Sequence, residues 1–375
     1  MEHTRWIIVG AGFAGAATAW ALGRAGLGPG IVLEQEPAFG THASGRNAAL
    51  VKLSESDPVV RTLVVRSLRA IREIEPPGEP LVRRTGGLAL ASAGSTVHDL
   101  DMVRDALVGD DVPAHLVSRD RACQLLPFLD LFDFQAGLWS EEDGVADIHA
   151  LLVRYLQLAR EAGFTLRTNT RVEQLVIEAG RVVGVRTEAG GEIRADIVVD
   201  ASGAWAGRLG RPAAPLALTP MRRHLFVSAP LDAVRPEQAF AWLEDAGLYF
   251  RPEGNGLLLS PCDETAMPAG VPSTDPSAAE LLAEKLGRAA PRLPDLAIRR
   301  QWACLRTFTI DRRPLIGHDA QIPGLFHVSG LGGFGMMCSA AIGELAATLL
   351  SGRAVDWIDP AVVAPSRLAR RSPGG

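Results

Sequence analysis

The sequence predicts an α/β domain combined with an α+β domain, and three observations indicate this fold class. The apolar residues 5–9 precede a glycine-rich turn, and a small-residue helix over 14–25 leads to an apolar strand over 30–34. A second apolar strand, within 195–206, also runs into a glycine turn. Three segments between 222 and 261 are instead typical of a separate antiparallel sheet. The first two patterns indicate parallel strands joined by helices, and the third indicates a second domain.

The order of the segments predicts that both domains are discontinuous. A chain of 375 residues is long enough for two domains. Short buried strands over 313–330 follow the antiparallel segments, so the chain returns to its first domain near the end. We predict a nucleotide-binding domain from 1–50, 144–210 and 311–375, with a substrate-binding domain from 51–143 and 211–310.

Local signals predict most of the remaining elements. Gly163 marks a helix end, and Ala179 with Gly180 marks the turn of a hairpin. A long helix is expected after the glycine-rich residues 330–335. The other predicted elements are helices over 58–75, 97–109 and 148–162, a strand over 84–91 and a hairpin over 165–187.

The composition argues against several classes of function. The net charge of −5 disfavours a nucleic-acid-binding surface. No apolar run approaches about 20 residues, so no membrane span is expected. The four cysteines are scattered and form no cluster with histidines, which predicts free thiols, a reducing cytoplasmic compartment and no metal site.

The glycine-rich turn at 10–15 carries the pattern of a dinucleotide site. Gly10 permits the tight turn, Gly12 lets the backbone approach a pyrophosphate, and Gly15 lets helix and strand pack closely. The phosphates would lie at the positive N-terminal end of the helix. Glu34 ends the second strand, where a carboxylate accepts hydrogen bonds from a ribose and repels the 2′-phosphate of NADP. The alternative for Glu34 is a solvated acid at a strand end.

Two later segments favour FAD over NAD. Ser44 and Arg46, soon after the second strand, supply a hydroxyl and a guanidinium that suit the phosphates of a long dinucleotide. The glycines at 330–335 precede a helix whose N-terminus can face the flavin edge that becomes negative on reduction. The alternative for these glycines is a packing turn. Together the segments predict an FAD-binding domain.

Four motifs make the chain similar to the D-amino-acid oxidase/glycine oxidase superfamily. They are GAGFAG with Glu34, THASGRNAA at 41–49, DASGAWA at 200–206, and SGLGGFGMMCSAA near the end. Within the superfamily the chain resembles the FAD-dependent D-arginine dehydrogenase-like group. The resemblance implies a Rossmann-like FAD domain with an antiparallel substrate domain. It also implies hydride transfer from the amino-acid Cα to flavin N5, giving an imino acid that hydrolyses to a 2-keto acid and ammonia.

The resemblance also assigns residues to the cofactor, which we expect to be bound without a covalent link. Some relatives attach the flavin through a histidine at the position of His42, and a histidine packed under the ring is the alternative. The assigned residues are Gly10, Gly12, Phe13, Ala14, Gly15, Glu34, Gln35, His42, Ala43, Ser44, Arg46, Val172, Gly203, Trp205, Gly330, Gly332, Gly333, Phe334, Gly335 and Met336.

Arginines and a tyrosine are the expected substrate ligands. The resemblance implies that Arg306 clamps the substrate carboxylate, with Arg223 as a second ligand and the adjacent Arg222 as the fallback. Since neighbouring residues of a strand face opposite ways, only one of this pair should enter the pocket. Tyr249 matches a hydroxyl that bonds the carboxylate, and Gly333 lies at the substrate. The candidate catalytic residues are Arg306, Arg223, Tyr249 and His42.

Departures from the group's pattern leave the substrate open. Gly86 or Gly87 stands where members that take cationic D-amino acids have a carboxylate, and Leu50-Val51 replaces a lid tyrosine. We therefore expect a neutral D-amino acid, glycine or sarcosine. A glycine/sarcosine-type amine oxidase and a 2-hydroxy-acid dehydrogenase on the same fold are alternatives, as is a non-catalytic binding protein. The electron acceptor, whether O₂, a quinone or another carrier, is not indicated.

Overall fold

The computed structural model describes residues 2–209 and 216–369. Within these ranges it contains helices and strands that alternate along the chain, together with short 3₁₀ turns. The helices are α1 (Phe13–Arg24), α2 (Pro58–Glu73), α3 (Gly94–Gly109), α4 (Arg119–Leu125), α5 (Ile148–Glu161), α6 (Pro276–Ala289), α7 (Ser339–Leu350) and α8 (Ser366–Ala369).

Three sheets are built from the described strands. The first ten are β1 (Glu2–Val9), β2 (Ile31–Leu33), β3 (Leu50–Val51), β4 (Val82–Arg84), β5 (Gly87–Ala91), β6 (Ala114–Ser118), β7 (Ala136–Ser140), β8 (Gly144–Ala146), β9 (Thr165–Arg167) and β10 (Val172–Glu178). The others are β11 (Arg181–Thr187), β12 (Glu192–Asp200), β13 (Leu218–Ser228), β14 (Phe240–Leu243), β15 (Leu248–Glu253), β16 (Gly256–Ser260), β17 (Thr265–Ala266), β18 (Ile298–Thr309), β19 (Leu315–His318) and β20 (Leu325–Ser329).

An eight-stranded sheet, counted over the described residues, forms the predicted α/β part. Its parallel strands lie in the order β20-β12-β1-β2-β9, and the hairpin β10–β11 and strand β19 extend it. Helix α1 packs on α5 and α7. A Cβ at Gly343 would lie 2.4 Å from the carbonyl oxygen of Ala17, so α1 and α7 are in backbone contact there. This close packing explains the small residues of the first helix.

A nine-stranded sheet forms the α+β part. It runs β17-β13-β16-β15-β14-β5-β7-β6, with β18 paired along β13, and all neighbouring strands are antiparallel except β14 and β5.

The predicted fold class is confirmed. Strands of the eight-stranded sheet fall within 1–50, 144–210 and 311–375, but the domain limits stay a prediction. The limit at 210/211 lies outside the described residues.

Glycine and alanine backbone angles explain where local predictions were right and wrong. Ala179 and Gly180 both have positive φ, 47° and 77°, which forms the predicted hairpin turn between β10 and β11. The single strand predicted over 84–91 is instead two strands in different sheets. The break is at Gly86, where φ is +77° and a Cβ would lie 2.0 Å from the Trp139 ring.

The described residues contain no helix that is long and apolar enough to cross a membrane. They also contain no group of three or more His, Cys, Asp or Glu side chains that could hold a metal ion.

Candidate active site

One cavity of about 660 Å³ lies between the two large sheets. The first sheet contributes the carboxyl ends of its parallel strands, including Val9, Glu34, Ala201 and Ser329. Ligands of open α/β sheets bind at this edge because the loops there diverge. The second sheet contributes side chains from β13, β15 and β18. The cavity therefore joins a dinucleotide-type edge to a second wall.

The glycines of the first turn keep this edge narrow. Gly10 has φ of +99°, and a Cβ there would lie 2.6 Å from the carbonyl oxygen of Ala201. A Cβ at Gly12 would lie 2.7 Å from Ser44 Oγ, which accepts a hydrogen bond from the N–H of Phe13 at 3.0 Å. Gly15 does not line the cavity; its Cβ would lie 1.9 Å from the carbonyl oxygen of Gly10. It therefore fits the packing role assigned to it.

Glu34 is fixed at the end of β2. Its side chain is buried, Oε2 accepts from the N–H of Ala11 at 2.9 Å, and Oε1 accepts from the N–H of Glu36 at 3.1 Å. Each carboxylate oxygen has a second lone pair, so both can still accept a hydroxyl from the cavity. This arrangement fits a ribose and does not fit a solvated strand-end acid.

His42 lies beside Trp205. The two rings are 4.7 Å apart, and His42 Nε2 is 2.9 Å from Glu36 Oε1. Both rings line the cavity, and Trp205 belongs to a turn that opens at Gly203 with φ of +60°. The structure thus places His42 in the cavity wall with its Nε2 engaged by a carboxylate.

The C-terminal glycine segment forms the cavity floor. Gly332 has φ of +53°, and a Cβ there would lie 2.6 Å from the Phe308 ring. A Cβ at Gly333 would meet nothing within 4 Å, so this residue faces open space. The helix α7 starts only at Ser339, after a series of turns. Ser329 Oγ, buried beside this segment, has no hydrogen-bond partner in the part of the chain that the structure describes.

These features fit FAD. The glycine turn and Glu34 suit the adenosine and pyrophosphate part, and the open floor at Gly333 with the unpaired Ser329 hydroxyl suits a flat polar ring. Apart from Gly15, every residue predicted for the cofactor lines the cavity. These are Gly10, Gly12, Phe13, Ala14, Glu34, Gln35, His42, Ala43, Ser44, Arg46, Val172, Gly203, Trp205, Gly330, Gly332, Gly333, Phe334, Gly335 and Met336.

Arg306 is a buried cation without a matching acid. It lies on β18, is 6% exposed and faces the cavity. Its Nη1 lies 2.9 Å from Cys304 Sγ and 3.5 Å from the carbonyl oxygen of Leu305. No carboxylate within residues 2–209 and 216–369 forms an ion pair with it. A buried guanidinium without an anion is costly, so this position suits an anionic ligand.

Arg223 and Tyr249 complete the same wall. Arg223 donates from Nε to the carbonyl oxygen of Asp263 at 2.9 Å and from Nη2 to Glu264 Oε1 at 2.8 Å. The Tyr249 ring stacks on Trp242 at 4.6 Å. Burial raises the pKa of Tyr249 to about 12, so its hydroxyl stays protonated at neutral pH and can donate.

The structure does not bring Arg222 into the cavity. Arg222 lies on the opposite face of β13 from Arg223, as the alternation of a strand requires. It forms an ion pair with Asp275, the residue that caps the N-terminus of α6. The fallback assignment of Arg222 to the substrate is therefore wrong, and Arg223 is the arginine that faces the site.

Sequence reasoning missed a charged group in the same cavity. Lys52, Glu55 and Glu244 all line it, and Glu264 and Cys262 lie near Arg223. These residues come from separate loops and strands, so no spacing in the sequence links them. The one available signal was Lys52 itself, a charge inside the apolar run that follows Asn47.

The comparison with known families decides the relationship. Residues 5–349 match the family described as FAD dependent oxidoreductase, DAO. The chain belongs to this family. FAD is its cofactor, and the resemblance to the D-amino-acid oxidase/glycine oxidase superfamily is confirmed. Similarity to the D-arginine dehydrogenase-like group remains a prediction.

Among curated relatives, the chain is 30% identical over 381 residues to glycine oxidase of Pseudomonas aeruginosa, covering 96% of this chain and 98% of the relative. It is 26% identical over 364 residues to 4-methylaminobutanoate oxidase (formaldehyde-forming) of Paenarthrobacter nicotinovorans, covering 93% of this chain. The chain spans only 44% of the length of that oxidase, and 40% and 51% of the lengths of two further curated relatives.

Solved structures share the fold. L-proline dehydrogenase from P. horikoshii superposes with a TM-score of 0.86 at 22% identity, covering 98% of both chains. Glycine oxidase from Geobacillus kaustophilus gives 0.80 at 21% identity, covering 98% of this chain and 99% of that one.

Proposed function

We propose that the chain oxidises the CH–NH bond of a small amino acid of D configuration. A hydride leaves the substrate Cα, and the imino acid hydrolyses to a 2-keto acid and ammonia. Bound FAD supplies the acceptor of the two electrons at flavin N5. The residues of the chain bind and orient the substrate.

The observation that carries this proposal is Arg306, a buried guanidinium that faces the cavity and forms no ion pair with an acid of residues 2–209 and 216–369. A substrate carboxylate would supply the missing charge through a bidentate pair. The protonated Tyr249 hydroxyl would donate to the same carboxylate. Arg223, held by Glu264, would give a second positive charge on the same side. Together they would fix one end of the substrate and leave Cα toward the floor at Gly333.

The names of similar proteins support the reaction class. Glycine oxidase, sarcosine dehydrogenase and 4-methylaminobutanoate oxidase are all named for oxidation of amino or methylamino acids. The D configuration comes from the motif resemblance. Because His42 Nε2 lies 2.9 Å from Glu36 Oε1 and is engaged by that carboxylate, we propose that the flavin is not covalently linked. A cytoplasmic enzyme with O₂, a quinone or another carrier as acceptor completes the proposal.

Product analysis tests the reaction class. The purified flavoprotein is incubated with D- and L-amino acids, glycine, sarcosine and 2-hydroxy acids, and ammonia, methylamine and keto acids are measured. Ammonia and a 2-keto acid in equal amounts from a D-amino acid are expected. Glyoxylate from glycine or sarcosine would favour the amine-oxidase alternative. A keto acid formed only from a 2-hydroxy acid would contradict the proposal.

A further inference from the structure

Three consecutive residues of β13, Arg222, Arg223 and His224, contact two segments that lie beside this strand. Because side chains alternate along a strand, Arg223 faces the cavity, whereas Arg222 and His224 face the opposite side. Arg222 pairs with Asp275 at the start of α6, and the His224 ring contacts the same residue. His224 is 1% exposed and is not among the residues that line the cavity. Its contacts therefore lie behind the wall that carries Arg223.

At His224 the edge of β13 is held by side chains. β13 pairs with β16 over residues 226–227 and with β17 over residues 221–222. Between these two ladders, the N–H of His224 donates to Asp263 Oδ1 at 2.8 Å, and Ser260 Oγ donates to the carbonyl oxygen of His224 at 2.8 Å. The carboxylate of Asp263 thus attaches the loop between β16 and β17 to the strand.

Asp263 connects the two faces of the strand. Its Oδ2 lies 2.7 Å from His224 Nδ1, on the side away from the cavity. On the cavity side, its carbonyl oxygen accepts from Arg223 Nε at 2.9 Å, and the next residue, Glu264, accepts from Arg223 Nη2 at 2.8 Å. Two neighbouring residues of one loop therefore hold the Arg223 guanidinium, and the bonds between His224 and Asp263 attach this loop to β13.

The hydrogen bonds of the His224 ring decide where its proton lies. The backbone N–H of Asp275 donates to Nε2 at 2.9 Å. Since a backbone N–H only donates, Nε2 carries a lone pair, and the ring proton lies on Nδ1 and is donated to Asp263 Oδ2. Burial would raise the pKa of Asp263, but hydrogen bonds from the ring and the N–H of His224 outweigh burial and lower it. The contact is therefore a hydrogen bond to a carboxylate, which is stronger than one between neutral groups.

These contacts limit the directions in which the Arg223 guanidinium can point. A long side chain loses rotamer freedom when it is ordered, so a guanidinium that is ordered in advance binds its ligand more tightly. Asp263 and Glu264 use Nε and one hydrogen of Nη2, and a guanidinium has further donors for a carboxylate. Without the loop, the charge of Arg223 would stay in the cavity but its direction would be released.

We propose that His224 and Asp263 are positioning residues that fix the Arg223 guanidinium in the direction of the substrate carboxylate. This proposal rests on the proposed function, in which Arg223 is the second cation of the carboxylate site. Neither residue touches the substrate, and both act through the loop between β16 and β17. The bond from Asp275 to Nε2 of the ring holds the start of α6 instead. The two ring nitrogens of His224 therefore have separable roles.

Two replacements of His224 separate these roles. The amide of His224→Asn reaches the place of Nδ1 and can still donate to Asp263, whereas the amide oxygen of His224→Gln reaches the place of Nε2 and is placed to accept from Asp275. Both variants lose the ring, so both should lower the melting temperature. KM for the amino acid should rise about three- to tenfold in His224→Gln, with a smaller change in kcat, and stay within about twofold of wild type in His224→Asn. Asp263→Asn, which removes the anionic acceptor, should act like His224→Gln.

Binding of a carboxylate probe tests the positioning without turnover. Benzoate is titrated against the flavin absorbance of the oxidised holoenzyme, and its Kd should rise about three- to tenfold in His224→Gln and in Asp263→Asn. In an Arg223→Ala background His224→Gln should cause no further rise, because the residue that it positions is absent. A role in stability alone would not give this dependence on Arg223.

His149→Gln, at an exposed histidine of α5, is the matched control. An equal rise in His224→Asn and His224→Gln, an unchanged benzoate Kd in Asp263→Asn, or an undiminished effect of His224→Gln in the Arg223→Ala background would overturn the proposal. A wild-type holoenzyme that does not bind benzoate would overturn it as well. If His224→Gln does not fold, Asp263→Asn takes its place in each comparison. If benzoate binds but no amino acid reduces the flavin, the proposed function fails, and the benzoate measurements decide the positioning roles.

Discussion

At the scale of single residues, a thiol supports the guanidinium on which the site depends. Cys304 is fully buried, faces Arg223 across the β13–β18 pair, and contacts Arg306 Nη1 through Sγ at 2.9 Å. Arg306 has no acid to orient it among the described side chains, so the sulfur is its main fixed partner. We therefore propose that Cys304 is a positioning residue for the substrate carboxylate.

Replacement of Cys304 tests this role. Cys304→Ala removes the acceptor, and we expect KM for the amino acid to rise about three- to tenfold with a smaller change in kcat. Cys304→Ser restores an acceptor and should recover part of the loss. Cys123→Ala, which removes a thiol from α4 outside the cavity, is the control. An unchanged KM in Cys304→Ala, or the same change in Cys123→Ala, would contradict the role.

At the scale of elements, local patterns were sufficient for the dinucleotide edge. The turn at 10–15, Glu34 and the hairpin at Ala179-Gly180 are each decided by neighbours in the sequence, and the structure has them where they were predicted. The C′ position of Gly163 after α5 belongs to the same class, with φ of +91°. Glycine placement specifies such features because few other residues adopt these backbone angles.

Elements that depend on distant partners could not be predicted in this way. Strand β18 has no local signal as strong as a glycine turn, and the length of β13 follows from its pairing with β18. Helix α6 does begin with a local signal, Asp275 followed by Pro276, which the sequence analysis left unused. The strand predicted over 84–91 failed because Trp139, from another strand, lies beneath Gly86. Which face of β13 Arg223 occupies is likewise decided by how β13 pairs in the sheet, and the sequence of residues 221–224 alone does not specify it.

The charged group formed by Lys52, Glu55 and Glu244 shows the same limit within the site. Lys52 and Glu244 are separated by 192 positions in the chain and meet only because β3 and β14 both end at the cavity. The expectation of a neutral substrate rested on Gly86 or Gly87 and on Leu50-Val51, and these positions give no information on acids supplied by other elements. The cofactor residues were easier to predict because they follow single motifs.

At the scale of the whole molecule, a buried histidine ties the strands of the first sheet together. His327 on β20 is fully buried, with Nε2 2.9 Å from Asp319 Oδ2 and Nδ1 3.7 Å from Asp200 Oδ2. Asp200 in turn accepts from the N–H of Gly207 at 3.0 Å and so shapes the turn that carries Trp205. This network couples the sheet to the cavity wall.

The network predicts a pH-dependent stability. Burial alone would lower the pKa of His327, but its two carboxylate partners outweigh burial and raise it. Burial would likewise raise the pKa of Asp200, but the nearby charge of His327 and hydrogen bonds from Ser202 and Gly207 outweigh it and lower that pKa. The contribution of His327 to the free energy of unfolding is therefore full below about pH 6.5 and is lost as pH rises through its folded-state pKa. The contribution of Asp200 to the free energy of unfolding is present above about pH 4 and is lost as pH falls through its folded-state pKa.

Melting temperatures of wild type and His327→Asn across the pH range measure this effect. The advantage of wild type should be largest at mildly acidic pH and should shrink as the solution becomes alkaline. His149→Asn, an exposed histidine of α5, should show no such trend. A wild-type advantage that grows with pH would contradict the assignment of a charged His327.

We propose that Arg306, whose buried guanidinium pairs with no acid among the described residues, holds the carboxylate of an amino acid against the flavin. Stopped-flow reduction of the flavin under anaerobic conditions, in wild type and Arg306→Ala, tests it most directly. With FAD content unchanged, the variant should lose about 3–5 kcal/mol of transition-state stabilisation, or about 10²–10⁴ in kcat/KM. Flavin reduction in Arg306→Ala at the wild-type rate and amino-acid concentration would contradict the account.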